Sequence, residues 1–485
     1  MALAVNYNQD FLHQCSREAL SRQFNQRGPQ LPFTKPTSSS DNPIIPDPSL
    51  FEFGFNPSDA PEGPGRLPSI AECATHLELL QAFRHIQTEI ESSQRLDHIL
   101  GIEPEHRIVY RKRTVYQGYS SSLVREPTKL RDDSFDERRK EKWPLYLKLA
   151  ASRFLSWADA VEEEFSEPTK TPDNSLHLPP LDVLMVWHAL LLNPTWFQSF
   201  ERKKLKYLST VPFPWEQIHA AIDSQKLNWP FKLTKEDEAW AEDSAGLHPD
   251  LIAFLVKENK SPIISDCLAK HGAGRDDGAD RGLRPVDIPD ILSSDRNLDH
   301  IEFGFLNICR VAVGKDHIVE DLVDAVKRQS SFVYKMERQL WIRSPAVDGT
   351  LSRGIIRYER FLKLFKLYPK AMLVPTLDID LVWHTHQCSP AQYGLATRHM
   401  AGRFIDHNDK LGSGTLDPAF ENTKTLYRIR FADEYRLCTC WDCEALRSTI
   451  AEENSNMQFD VASVAHQAHS IVAYYRAAEI ARRKE

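Results

Sequence analysis

Several features that usually identify a protein class are missing from this chain of 485 residues. It contains no apolar run of 18 residues, so the sequence predicts no membrane-spanning helix. Its first residues lack a basic stretch followed by an apolar one, so we expect no secretory signal. No phosphate-binding loop, GxGxxG turn or GxSxG elbow occurs, and therefore no motif supports a nucleotidase, a dehydrogenase or a hydrolase.

An excess of positive charge is also missing. The formal net charge is -8 and the pI is about 6.2, a balance that attracts neither nucleic acid nor an anionic membrane. Basic runs at 110–113, 137–142 and 202–206 are interleaved with or followed by acidic or apolar residues, which is typical of solvated faces. We therefore expect a protein partner, no nucleic acid and no membrane, and the sequence leaves the oligomeric state open.

Cysteine is too sparse for a disulfide scaffold, because only eight cysteines are spread over the whole chain. Five of them stand alone, and three are clustered as Cys438-Thr-Cys440-Trp-Asp-Cys443. Lone cysteines are typical of buried positions in proteins of a reducing compartment. The sequence thus predicts an intracellular, cytoplasmic protein whose thiols are reduced.

Apolar residues recur at helical spacing through most of the chain. The predicted helices include 72–90, 143–165, 317–336, 355–369 and a C-terminal helix over 461–484. Strand candidates are few, and residues 107–117 are the clearest of them. We predict a mainly α fold with few or no strands.

An internal repeat organises the helical chain, because residues 179–197 align with 375–393 without a gap. We interpret the chain as two tandem copies of a helical module followed by a C-terminal helix. The predicted boundaries are a mobile Pro- and Ser-rich arm at 1–67, a first module at 68–260, a linker at 261–297, a second module at 298–450 and the C-terminal helix at 451–485.

The repeated motif is most simply structural, with its tryptophan in the core and its histidine in a buried hydrogen bond. Copy two, however, has Asp380 and His386 at the positions where copy one has Leu184 and Leu190. Asp380 lies four residues before His384, so both side chains share one face of a helix. Any metal centre or catalytic centre is therefore expected in copy two.

Two further groups of ligand-type residues follow this helix. Asp406 and His407 form either a polar turn or additional ligands for the centre at His384 and His386. Farther on, the CxxC spacing of the cysteine cluster lets thiolates converge on one zinc ion at about 2.3 Å. The predicted zinc ligands are Cys438, Cys440 and Cys443 with a fourth ligand from His384, His386, His407 or Cys388. A redox-active CxxC and inert thiols are the alternatives.

These motifs resemble the glycine-rich domain-containing protein family of plants and fungi. The resembling segments are HLELLQAF (76–83), LDVLMVWHALLLNP (181–194), FPWEQI (213–218), DAVKRQSSF (324–332), LDIDLVWHTHQCSP (377–390), FIDHND (404–409) and CTCWDC (438–443). The resemblance is to the core region without the glycine-rich tail, since glycine makes up only 19 of the 485 residues. In the family the first motif carries a second histidine, where this chain has Leu190. The family core implies no biochemical activity.

Two hypotheses from different classes follow from these patterns. The first is an intracellular, zinc-stabilised helical protein with an interaction or regulatory role. The second is a metal-dependent enzyme, a non-haem iron oxygenase, in which His384, His386 and either Asp380 or Asp406 form a facial triad. The resemblance bears on the second hypothesis, because some fungal relatives carry a ketoglutarate-dependent dioxygenase label. The identity of the bound metal distinguishes the two.

Overall fold

The computed structural model describes residues 45–54, 65–100, 102, 104, 107–130, 132–166, 176–258, 264, 300–314, 317–407, 413–451 and 461–483. Most of the predicted N-terminal arm and nearly all of the predicted linker lie outside these residues. Within the arm, Pro48–Phe51 forms one turn of 3-10 helix. The ring of Phe51 stacks on His219, with the ring centroids 3.6 Å apart.

Helices account for most of the described chain, which confirms the prediction of a mainly α fold. In chain order they are α1 (Ile70–Ser92), α2 (Gln94–Ile99), α3 (Phe135–Lys140), α4 (Lys142–Phe165), α5 (Leu181–Leu191), α6 (Pro194–Lys204), α7 (Trp215–Ala221), α8 (Lys235–Asp243), α9 (His300–Val313), α10 (His317–Gln339), α11 (Val347–Leu367), α12 (Leu377–Gln387), α13 (Pro390–Met400), α14 (Ser413–Phe431), α15 (Trp441–Ala451) and α16 (Val461–Arg482). Among these described helices, none has the length and apolar character needed to cross a bilayer.

Shorter helical turns complete the helical part. A short helix at Leu251–Ala253 continues as a π-helix at Phe254–Glu258, and Trp341–Arg343 forms a 3-10 turn between α10 and α11. The strands of the described chain are β1 (Arg107–Gln117) and β2 (Ser120–Leu130), which pair antiparallel as one hairpin. The register places Arg107 opposite Leu130 and Gln117 opposite Ser120.

Local sequence explains where α1 begins. The Oγ atom of Ser69 accepts a hydrogen bond from the backbone N–H of Glu72 at 3.2 Å, and a carboxylate oxygen of Glu72 accepts one from the backbone N–H of Ser69 at 2.8 Å. This reciprocal pair is a capping box, which satisfies two backbone donors at the helix start. Helix α1 therefore begins at Ile70, two residues before the apolar periodicity predicts.

The described chain divides into two compact units, each drawn from separate stretches of sequence. The first unit consists of the described parts of Met1–His85, Ala158–Glu238 and Asp324–Glu485. The second consists of the described parts of Ile86–Trp157 and Ala239–Val323. Both copies of the repeated motif and the cysteine cluster belong to the first unit, whereas the hairpin belongs to the second. The two tandem modules and their boundaries stay a prediction.

Candidate metal centres

Helix α12 carries the first candidate centre. Proline and threonine precede the helix, and the acidic residues of its first turn favour the positive end of the helix dipole. Asp380 and His384 are both buried, 4% and 2% exposed, and lie one turn apart. The distance between Asp380 Oδ1 and His384 Nε2 is 3.4 Å. The predicted shared helical face thus brings a carboxylate and an imidazole together inside the protein.

His407 supplies a third ligand-type atom to this pair. Its Nε2 atom lies 3.2 Å from His384 Nε2 and 3.9 Å from Asp380 Oδ1. Three atoms at these separations lie on a circle of radius about 2.0 Å, so one ion could approach all three at the distance of about 2.0–2.2 Å found for zinc with nitrogen and oxygen ligands. The described residues Asp380, His384 and His407 therefore form a triangle of the size that a first-row metal ion needs.

Hydrogen bonds downstream of α12 hold His407 in place. The indole N–H of Trp383 donates to the hydroxyl of Tyr393 at 2.9 Å, and that hydroxyl donates to the carbonyl of Ile405 at 2.7 Å. The ring of His407 then contacts the Trp383 ring edge-on, with centroids 5.0 Å apart. The tryptophan of the repeated motif thus positions the segment that delivers the third ligand.

The electrostatics of the centre favour a bound cation. Burial raises the pKa of Asp380 to about 7, and the positive charge of Lys335 only partly opposes this. Burial also lowers the pKa of His384 well below its usual range, and the neighbouring His407 lowers it further. A neutral imidazole has a lone pair available for a metal, and a divalent cation would compensate the buried carboxylate.

Two residues predicted as ligands lie outside this triangle. The Nδ1 atom of His386 is 3.0 Å from the hydroxyl of Tyr358, and both are buried. Asp406 Oδ1 accepts a hydrogen bond from the backbone N–H of Thr195 at 3.2 Å, at the start of α6. The structure therefore brings together Asp380 with His384 and His407, and it gives His386 and Asp406 other partners.

Copy one contains a buried histidine pair that sequence reasoning missed. His188 Nε2 lies 2.9 Å from Nε2 of His76, and Nδ1 of His76 lies 2.8 Å from the hydroxyl of Thr385. That hydroxyl donates to the carbonyl of Leu381 at 2.8 Å, so it accepts from His76 Nδ1–H, and His188 in turn donates to His76. The only signal for His76 was its place at the start of the segment HLELLQAF.

Among the described residues, copy one has no counterpart of the metal-ligand triangle. Leu184 stands in the sequence position of Asp380, as the alignment of the two copies shows. The tryptophan of copy one, Trp187, contacts the ring of Phe213 with centroids 4.8 Å apart. An aliphatic side chain therefore stands at the sequence position of one of the three ligands.

The cysteine cluster forms the second candidate centre. The sulfur atoms of Cys438, Cys440 and Cys443 all lie within 4.8 Å of one another at the start of α15. Sulfurs that share a tetrahedral zinc ion at about 2.3 Å are roughly 3.8 Å apart, close to this arrangement. Hydrogen bonds from Cys440 and Cys443 lower the pKa of the Cys438 thiol, and the same interactions raise the pKa of Cys443.

Two tryptophan hydrogen bonds fasten the cysteine segment to the end of α10. The indole N–H of Trp341 donates to the carbonyl of Thr439 at 2.8 Å, and that of Trp441 donates to the carbonyl of Gln339 at 2.9 Å. Because each indole comes from one segment and bonds the backbone of the other, the two chain segments hold each other. These bonds position the segment that carries the three thiols.

The two centres are separate among the described residues. Each of the two ligand groups contains three residues, and no described histidine joins the three thiols. Cys388 is buried beside Glu72 and belongs to neither group. The described residues therefore do not form a single site made of the three thiolates and one of the named histidines. Whether either centre binds a metal stays a prediction.

Comparison with known proteins supports the resemblance noted in the motifs. A family model described as "Glycine-rich domain-containing protein-like" matches residues 300–395, which include Asp380 and His384. "Glycine-rich domain-containing protein 1" of Arabidopsis thaliana is 37% identical over 281 residues, 56% of this chain and 27% of that protein. "Glycine-rich domain-containing protein 2" of the same plant is 36% identical over 123 residues, 24% of this chain and 15% of that protein.

The resemblance to the glycine-rich domain-containing protein family is thereby confirmed. The chain spans only about a quarter of the length of the first of these relatives. No solved structure matches the chain.

Proposed function

We propose that this chain, whose residues 300–395 match the glycine-rich domain-containing protein-like family, is a zinc-stabilised helical protein with an interaction or regulatory role. The observation that carries the proposal is the convergence of Cys438, Cys440 and Cys443 at the start of α15. Three thiols within six residues are rarely needed for packing, and thiolates are preferred zinc ligands.

Zinc in this cluster would stabilise the fold by joining the start of α15 to the segment before it. Metal binding replaces thiol protons and adds its free energy to folding. The neighbouring contacts of α15 would benefit, since Glu444 accepts hydrogen bonds from Thr350 and Arg353 of α11. The zinc ion would therefore strengthen the packing of α15 on α11.

A reducing, cytoplasmic location is part of this proposal. None of the six described cysteines forms a disulfide, and five of them are buried: Cys73, Cys309, Cys388, Cys438 and Cys443. Thiols that must hold zinc need to remain reduced, which the cytoplasm ensures. The proposed interaction role is supported by the family match, because neither curated relative is named for a reaction.

Metal analysis of the full chain tests the zinc proposal. We expect about one zinc ion to be lost in Cys440→Ser and the melting temperature to fall by several degrees, because the metal contributes to folding. Cys309→Ser, in the second unit, removes a buried lone thiol and should leave zinc content unchanged. Equal zinc content and equal melting temperature in Cys440→Ser and the native chain would refute the structural zinc site.

A second candidate function uses the other centre. Asp380, His384 and His407 make up a set of two imidazoles and one carboxylate, the ligand set of non-haem iron(II) oxygenases. The observation favouring it is the triangle of donor atoms 3.2, 3.4 and 3.9 Å apart. Bound iron would supply open coordination positions for substrates, and the chain's own residues would hold and orient it.

Matched variants separate this candidate from the zinc proposal. Asp380→Asn should abolish metal binding at the triangle, whereas Asp406→Asn should not, because Asp406 bonds the start of α6 instead. Iron that remains in Cys440→Ser but is lost in Asp380→Asn, together with turnover of ketoglutarate, would support an oxygenase. Equal iron content in Asp380→Asn, Asp406→Asn and Cys440→Ser would contradict it, and so would the lack of bound iron in all three.

A further inference from the structure

The β-hairpin carries an unusual concentration of positive charge. Residues 107–130 contain six basic side chains and one acidic side chain, a net charge of +5, although the whole chain has a net charge of -8. The basic residues are Arg107, Arg111, Lys112, Arg113, Arg125 and Lys129. The acidic residue is Glu126, and it pairs with Arg113 at 3.2 Å. The hairpin therefore carries five more basic than acidic side chains.

The two faces of the hairpin differ. Residues opposite each other in the register share a face, and side chains alternate along each strand. One face therefore carries the even-numbered positions of β1 and the odd-numbered positions of β2. We call it the basic-apolar face; its described residues are Ile108, Tyr110, Lys112, Thr114, Ser121, Leu123, Arg125, Pro127 and Lys129, and each of them is exposed.

Large apolar side chains on this face are open to solvent. Ile108 is 58% exposed, Tyr110 is 65% exposed and Leu123 is 68% exposed. Tyr119, in the turn that joins the strands, is fully exposed. The opposite face carries the Arg113–Glu126 ion pair, and several of its positions are partly covered. A hairpin that faces only water does not need these exposed apolar side chains for its solubility. A two-stranded hairpin alone is also only marginally stable in water.

We propose that the basic-apolar face of the hairpin docks on an anionic lipid surface. Lys112, Arg125 and Lys129 supply charge complementary to acidic headgroups, and each basic residue near such a surface strengthens binding about fivefold. Ile108 and Leu123 can enter the region between headgroups and acyl chains, where tyrosine is also favoured. The sequence alone predicts no membrane partner and indicates a solvated face for the basic run at 110–113; this proposal differs because the hairpin holds a local net charge of +5 beside exposed apolar side chains.

Other occupants fit this face less well. Single-stranded nucleic acid requires aromatic rings on which bases stack, and Tyr110 is the only aromatic side chain described on the strand part of the face. A second copy of the same hairpin would bring like charges together. Basic residues also discourage edge-to-edge aggregation of strands, but that role does not require the exposed Ile108 and Leu123.

Co-sedimentation of the full chain with lipid vesicles tests the proposal. We expect binding to phosphatidylcholine vesicles that contain about a quarter phosphatidylserine, little binding to pure phosphatidylcholine, and weakening by salt. The double variant Arg125→Glu with Lys129→Glu should bind at least about twentyfold more weakly. Equal binding by this variant and the native chain would overturn the proposal, as would failure of the native chain to prefer the anionic vesicles.

A pair of neighbouring substitutions tests which face makes contact. Leu123→Ser lies on the basic-apolar face and should weaken vesicle binding severalfold, whereas Val124→Ser lies on the opposite face and should not. Both residues are exposed, so circular dichroism should show folded protein in each case. Equal binding by the two variants would refute the assignment of the face. Binding of single-stranded RNA by the native chain without binding of anionic vesicles would identify the wrong partner and overturn the lipid proposal.

Discussion

Replacing Arg357 of α11 with methionine is expected to destabilise the protein strongly, because it leaves a buried carboxylate without its partner. The guanidinium Nε atom donates to Asp378 of α12 at 2.6 Å. Its Nη2 atom donates to the hydroxyl of Thr376 at 3.2 Å and to the carbonyl of Tyr435 at 2.7 Å. Arg357 and Asp378 are 6% and 8% exposed. One side chain thus joins α11, α12 and the segment before α15.

The expected magnitude follows from this burial. Removal of one partner from a buried ion pair typically costs about 3–5 kcal/mol, since the other charge stays desolvated. At a urea slope of about 2–3 kcal/mol per molar, the unfolding midpoint should fall by roughly 1–2 M. The double variant Arg357→Met with Asp378→Leu should recover part of the loss, because no unpaired charge remains inside.

Urea unfolding followed by circular dichroism measures this effect, and α11 itself offers a control. Arg360 lies one turn farther along and pairs with Asp433 at 2.9 Å, but both side chains are largely solvated, 36% and 44% exposed. Arg360→Met should therefore cost less than about 1 kcal/mol. If Arg357→Met is no more destabilising than Arg360→Met, the buried pair does not hold α12 in place.

Two further outcomes follow from contacts of other residues. Trp383→Phe should weaken metal binding at the triangle of Asp380, His384 and His407, because the indole N–H of Trp383 anchors Tyr393. Trp187→Phe should leave this metal binding unchanged. Metal titration of both variants measures the difference. Burial disfavours ionisation of Glu479, but hydrogen bonds from Arg482 and Arg483 outweigh it and lower the pKa of Glu479. Its stabilising effect should therefore be present above about pH 4.3, its unfolded pKa, and be lost as pH falls. The stability difference between the native chain and Glu479→Gln, measured by urea unfolding, should accordingly shrink in acid, and a constant difference would contradict this assignment.

The helices and the hairpin strand could be predicted because their signals are local. Apolar residues at a spacing of three to four predicted a helix over 317–336, and the structure has it at His317–Gln339. Alternation and β-branched residues predicted a strand over 107–117, which is where β1 lies. The pairing partner of this strand, residues 120–130, was not predicted, because its serine-rich sequence carries a weak strand signal.

For the candidate centres, only the contacts between residues close together in the sequence could be predicted. Asp380 and His384 are four residues apart in the helix, which places their side chains on one face. His386 is two residues beyond His384, so its side chain is rotated by about 200° from that of His384 and contacts Tyr358 instead. Neighbouring residues of an extended segment point to opposite sides, so His407 faces the centre and Asp406 faces α6. The contact between His76 and His188 joins residues 112 positions apart, and no spacing rule reaches that far.

The comparison of the two copies predicts a cation site in only one of them. In copy one, His188 hydrogen-bonds His76, and Leu184 stands at the sequence position of Asp380, so this position adds no charge that requires compensation. In copy two, Asp380 places a carboxylate in an equally buried position, where an ionised group is unfavourable without a cation or a proton. Burial opposes protonation of His384, so this imidazole stands beside the carboxylate as a neutral group rather than as a positive partner. A divalent ion would satisfy the carboxylate and both imidazoles at once, whereas a proton would satisfy only the carboxylate. The change from leucine to aspartate between the copies therefore places a buried carboxylate beside His384, and we predict a metal ion at the second copy and none at the first.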